Sequence, residues 1–87
     1  MSEKQQHDIQ VTVTFPLAGQ PFHDGFSPMT TVGQVRSAAM TKFGAAEDPA
    51  SVFYLTHNGE RLADQRTLAD FADHALKFRL VKDLVQG

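Results

Sequence analysis

The residue types that most often carry chemistry occur in this sequence, but not at spacings that build a catalytic or metal site. Four histidines, His7, His23, His57 and His74, are the residues that would ligate a metal as neutral imidazoles. They share no ligand spacing, and the chain has no cysteine to complete a tetrahedral set. They are expected to be solvated loop side chains. Asp70 and Asp73 are three residues apart and have the types of an acid–base pair; a solvated face is the simpler expectation. Serine, histidine and aspartate all occur, but no nucleophile motif surrounds any serine. Gly19 and Gly25 sit in turn-like stretches and do not form a phosphate-cradling loop. The sequence therefore predicts no enzyme, no cofactor and no metal.

What remains is surface. Tyr54, Thr56, Lys77 and Arg79 fall at outward positions of two strands, where residues become cross-strand neighbours. Thr56, Lys77 and Arg79 would then make a small basic patch, either a solvated sheet face or a docking surface. In a docking role, charge would set specificity and association rate more than affinity.

Composition bounds the partners. The chain has 87 residues, with 8 basic and 10 acidic side chains and a net charge of −2. That balance lacks the basic excess of a general nucleic-acid binder, and no block of like charge suggests a membrane-surface tail. No apolar run approaches the roughly 18 residues of a membrane-spanning helix. Without cysteine there is no disulfide framework, which suits a reducing, cytoplasmic setting. A chain of this size without such cross-links must stand on its hydrophobic core. A monomer is expected.

The elements that position these residues follow from periodicity. Residues 1–8 are polar and form a leader expected to be disordered. Ile9, Val11, Val13 and Phe15 alternate with Gln10, Thr12 and Thr14, the pattern of a half-buried strand. Residues 16–20 break it, and 21–26 return as a shorter strand with Phe22 inward. Thr31 is a good helix N-cap, and Gln34 completes a capping box. Val32, Val35, Ala39 and Phe43 form one helical stripe, flanked by Ala38 and Met40, and Gly44 stops the helix. A third strand spans 52–56, the pair Asn58-Gly59 predicts a tight hairpin, and 61–62 form a very short fourth strand. Thr67 to Phe71 suits a single helical turn, with Leu68 and Phe71 on one face. Leu76, Phe78 and Leu80 point inward in a last strand over 75–81, followed by a tail over 82–87. The expected core is Ile9, Val11, Val13, Val32, Val35, Ala39, Phe43, Leu55, Leu62, Leu68, Leu76 and Phe78. The fold class is α+β: a mixed sheet of four to five strands with one helix packed across it.

The stretch from Leu55 to Phe71, LTHNGERLADQRTLADF, resembles ubiquitin. The shared pattern is a strand, a glycine-containing tight turn, a leucine, an acidic residue, and then Arg-Thr-Leu-x-Asp-aromatic. Here those positions are Gly59, Leu62, Asp64, Arg66, Thr67, Leu68, Asp70 and Phe71. The helix is similar as well, with its threonine cap, Val32, Val35, Ala39 and a lysine at Lys42. The resemblance covers residues 9–87 in order and spacing. It implies a ubiquitin-like β-grasp domain over 9–81, and small bacterial ubiquitin-like modifiers are nearest in character. Some of those are encoded beside conjugation enzymes in antiviral defence operons.

The resemblance also implies a chemistry. A modifier of this family is adenylated at its C-terminal carboxylate, captured as a thioester and transferred to a lysine amine. Its partners are activating, conjugating and deconjugating enzymes and the target proteins. Gly87 would be the conjugated residue, preceded by Gln86 where ubiquitin has a second glycine. Lys42 and Lys4 would be the acceptors if chains form. The apolar patch by which ubiquitin meets its partners corresponds to Thr56, His57, Lys77 and Arg79, which are polar or basic here; they form the candidate enzyme-docking face. Two alternatives share the fold: a binding or adaptor module that is never conjugated, and a sulfur carrier, which normally ends in Gly-Gly.

Overall fold

The structure is a computed structural model and describes residues 8–46, 49–71 and 75–84. Five strands form a single mixed sheet. They are β1 (Ile9–Thr14), β2 (Phe22–Phe26), β3 (Ser51–His57), β4 (Glu60–Arg61) and β5 (Ala75–Leu84). Their spatial order is β2-β1-β5-β3-β4. Strand β1 runs parallel to β5, and every other neighbouring pair is antiparallel. The helix α1 (Val32–Phe43) lies across one face.

Strand alternation sorts the two faces. Ile9, Val11 and Val13 of β1 are buried, as are Phe53 and Leu55 of β3 and Leu76, Phe78 and Leu80 of β5. Val32, Val35, Ala39 and Met40 meet them from α1. Each fully buried aliphatic side chain of this kind contributes about 1.5–3 kcal/mol through area removed from water. The core expected from the sequence is present with one adjustment. Phe43 is partly buried and packs at the core's margin against Phe15 and Phe22, with ring centroids 5.4 and 6.4 Å away. Phe22, Met40, Phe53 and Leu80 complete the interior.

The helix begins and ends as its sequence demands. The Gln34 amide donates to the Thr31 hydroxyl at 3.2 Å, and the Thr31 amide donates to the Gln34 side chain at 2.9 Å. These two bonds satisfy otherwise orphaned groups reciprocally. Gly44 closes the helix in the left-handed region at φ 72°, which costs a glycine little.

The long connection after β4 is stapled to the start of α1. The Val32 and Gly33 amides donate to the carbonyls of Arg66 and Asp64 at 2.7 and 3.0 Å. The Leu68 and Ala69 amides donate to the Thr30 and Pro28 carbonyls. Arg36 adds a forked contact to the Asp64 carboxylate at 3.0 and 3.3 Å. The approach at position 33 is close: a Cβ there would lie 3.2 Å from the Cβ of Asp64. Leu68 starts a short 3-10 helix (Leu68–Phe71) and is fully buried. The motif that resembles ubiquitin is thus the segment that fastens the loop to the helix.

Strand ends shift by a residue at β2, β3 and β4, and the largest difference from expectation is at the end of β5. Strand β5 runs to Leu84, three residues past Val81, and Lys82, Asp83 and Leu84 pair with Phe53, Val52 and Ser51. Hydrophobic alternation ends at Val81, but backbone pairing continues because β3 offers partners back to Ser51. Lys82 keeps the inward side of the pattern, with its ammonium 5.9 Å from the Phe53 ring centroid.

Candidate functional site: the outer face of the sheet

The face of the sheet turned away from α1 is where the sequence placed a docking surface. Register fixes its layout. Thr14 is the partner of Arg79, Arg79 of Thr56, and Thr56 of Arg61. Side chains on directly paired residues share a face, so Thr14, Arg79, Thr56 and Arg61 form one continuous cross-strand row. A second row holds Lys77, its partner Thr12, and His23 opposite Thr12. The Thr12 hydroxyl and the His23 Nδ1 lie 2.9 Å apart. Thr12, Thr14, Thr56, Lys77, Arg79 and the Asn58-Gly59 turn line an open hollow of about 470 Å³.

The hairpin beside this hollow is built by backbone conformation. Asn58 and Gly59 take φ 53° and 86°, so both central residues are left-handed. That conformation matches the twist of the flanking strands and suits asparagine and glycine. It keeps β4 in register, so that Arg61 faces Thr56.

Three of the four residues assigned to this face from sequence are brought together: Thr56, Lys77 and Arg79. His57 is not. It follows Thr56 in β3 and so points to the opposite side, where its ring stands edge-on to Phe71 and Phe78 at 5.2 and 5.6 Å. The resemblance to ubiquitin's apolar patch placed it on the outer face, whereas a strand separates adjacent side chains to opposite faces. Arg61 is the residue that reading left out of the face. Its signal was the Asn-Gly hairpin, which pairs it with Thr56.

At one end of the face, Arg61, Tyr54 and Asp83 form a chain. The Arg61 guanidinium lies 4.3 Å from the Tyr54 ring centroid, a cation–π distance. The Tyr54 hydroxyl donates to the Asp83 carboxylate at 2.9 Å. That hydrogen bond, with desolvation and the Asp83 charge, raises the Tyr54 pKa above its ordinary 10.0, while Arg61 opposes the shift.

Charge is distributed unevenly over the described residues. Arg36 pairs with Asp64, and Arg66 lies 3.8 Å from Asp70. Lys42 is exposed on α1, away from the sheet's outer face, next to the Gly44 cap. Lys77 and Arg79 are both exposed and make no ion pair with a described acid. The other residues named from sequence, Lys4, His7, Asp73, His74, Gln86 and Gly87, lie outside the described residues.

Solved structures share this fold. A ubiquitin from Caldiarchaeum subterraneum superposes with a TM-score of 0.74 at 26% identity, covering 92% of this chain and 99% of that one. The chain has a ubiquitin-like β-grasp fold. A structure described as a molecular mimic of SUMO that promotes DNA repair matches with a TM-score of 0.72 at 12% identity, covering 90% and 95% of the two chains. Neither a family model nor a curated protein matches the sequence. Among the described residues of this ubiquitin-like domain, no helix is long and apolar enough to cross a membrane.

Proposed function

We propose that this ubiquitin-like domain is a protein modifier, activated at the carboxylate of Gly87 and joined through it to amines of target proteins. The observation that carries the reading is the likeness to an archaeal ubiquitin, which spans 92% of this chain and 99% of that one, so the shared body is an entire ubiquitin. In this role the domain supplies no catalytic group; an activating enzyme supplies the adenylation site and the capturing cysteine. Glycine at the end suits a narrow channel because it has no side chain and takes conformations closed to other residues. Gln86 calls for a somewhat wider channel than a second glycine would.

The proposed partners are the activating, conjugating and deconjugating enzymes of such a pathway and its targets, in the cytoplasm. Lys42 is the first candidate for chain formation, since its side chain is exposed on α1; Lys4 in the leader is its rival. A role in bacterial antiviral defence rests on the resemblance alone, and adjacent genes for conjugation enzymes would support it. A second reading, a ubiquitin-like adaptor that is never conjugated, draws its support from Gln86.

Intact mass spectrometry of the chain incubated with its cognate activating enzyme and ATP separates the two. A mass increase for an adenylate, or a thiol-sensitive complex with the enzyme, supports the modifier. Binding without either product supports the adaptor.

A further inference from the structure

We infer that the outer face of the sheet is a reader for an extended acidic segment of a protein partner, with carboxylates on alternate residues. This deepens the proposed role of that face as a docking surface and rests on it. Three observations carry the inference.

The first is concentration of charge. The chain as a whole is acidic, with a net charge of −2, yet Arg61, Lys77 and Arg79 share one side of the sheet. The described acids of that side sit at its far corners. Asp83 is four residues beyond Arg79 along β5, about 13 Å at strand rise, and already accepts from Tyr54. Asp8 lies beside Gly25 at the opposite corner, four residues from Thr12 along the chain.

The second is chemistry between the charges. Thr12, Thr14 and Thr56 are the cross-strand partners of Lys77, Arg79 and both arginines respectively. An apolar residue at these places would give a greasy patch; threonine instead offers a hydroxyl donor beside each cation. Carboxylates accept from both kinds of group, and charge-assisted bonds are the stronger ones.

The third is spacing. Lys77 and Arg79 are two residues apart on one strand, about 6.6 Å, and Arg79 and Arg61 are two strands apart, about 9.6 Å. Alternate side chains of an extended peptide repeat at the same 6.6–6.8 Å interval. A peptide running along β5 over the hollow can therefore present one carboxylate to Lys77 and the next to Arg79. A third acidic position, displaced toward β4, reaches Arg61.

The test is titration of the full, isotopically labelled chain with a blocked seven-residue peptide bearing glutamate at alternate positions. A glutamine-for-glutamate peptide and single-stranded oligothymidylate serve as comparisons. Amide shifts at Thr12, Thr14, Thr56, Arg61, Lys77 and Arg79 are expected with the glutamate peptide. Binding should weaken at least tenfold for Arg79→Glu and severalfold for Lys77→Gln, and it should fall steadily with salt. Both side chains are exposed, and circular dichroism of each variant checks that the fold persists. Equal binding of the glutamine peptide, shifts confined to β2 and α1, or no binding at low salt would overturn the inference. Tighter binding of the oligonucleotide would replace it with a nucleic-acid surface. Formation of the Gly87 adenylate is read separately, so loss of peptide binding with adenylation intact removes this inference and leaves the modifier reading standing.

Discussion

Tyr54 and Asp83 are joined across adjacent strands by a hydrogen bond of 2.9 Å, and the bond ties the end of β5 to the middle of β3. Val52 is the direct partner of Asp83, and Tyr54 is the partner of Val81, so the contact is diagonal on the outer face. Tyr54 is the chain's one tyrosine and there is no tryptophan, which makes its ionisation directly readable by ultraviolet absorbance. Because Asp83 accepts from the neutral phenol, Tyr54 is expected to ionise above its ordinary 10.0. Asp83→Asn should bring the midpoint back down. The sign for stability follows: the folded state holds the proton longer than the unfolded chain, so this contribution is present below pH 10 and is lost as pH rises through the folded-state pKa. A wild-type midpoint at or below that of free tyrosine would show that the contact does not form in solution.

Leu55 supplies a test of the core. It is fully buried in the middle of β3, and its partner Leu80 is fully buried as well. Leu55→Ala removes buried methyl groups and leaves a cavity that the sheet cannot easily collapse into. A loss of about 2–5 kcal/mol is expected in denaturant unfolding. A loss under about 0.5 kcal/mol, the scale of surface substitutions, would contradict the face assignment.

The sequence made the body of this fold legible because its local signals agree with one another. Thr31, Gln34 and Gly44 bracket α1 by side-chain and backbone chemistry that needs no tertiary context. Asn58-Gly59 did the same for the hairpin. What escaped detection depends on pairing between distant segments. The continuation of β5 to Leu84 is driven by backbone partners in β3, and no hydrophobic alternation marks it. Arg61 joins the docking face only because the hairpin register sets it opposite Thr56. Met40 looked like a flank of the helical stripe, but it is buried with the core. His57 lost its place for the simplest reason: one step along a strand reverses the face.

The hairpin gives a third prediction. Gly59 holds φ 86°, and a Cβ there would meet nothing within 4 Å. Any cost of Gly59→Ala therefore comes from the backbone, and not from collision. A destabilisation of about 1 kcal/mol is expected, in line with placing a side chain at positive φ. Gly59→Asn should recover part of it, since asparagine tolerates that region better. Because the turn sets the register that brings Arg61 to Thr56, Gly59→Ala should also weaken binding of the acidic peptide more than its modest effect on stability would suggest. Identical unfolding midpoints for wild type, Gly59→Ala and Gly59→Asn would show that the turn is not left-handed.

The proposed chemistry of the tail separates body from terminus. Gly87 follows the end of β5 by three residues, and the core is closed by Leu76, Phe78 and Leu80, all upstream. Deleting Gly87, or replacing it with valine, should leave the thermal midpoint unchanged. The same changes should abolish formation of the adenylate and thioester, because a β-branched side chain crowds the carboxylate at both steps and restricts its own rotation. Gln86→Gly reduces bulk next to the reacting carboxylate and should be tolerated or faster. Normal adenylation and transfer by the Gly87-deleted chain would overturn the modifier reading and leave the adaptor as the better account.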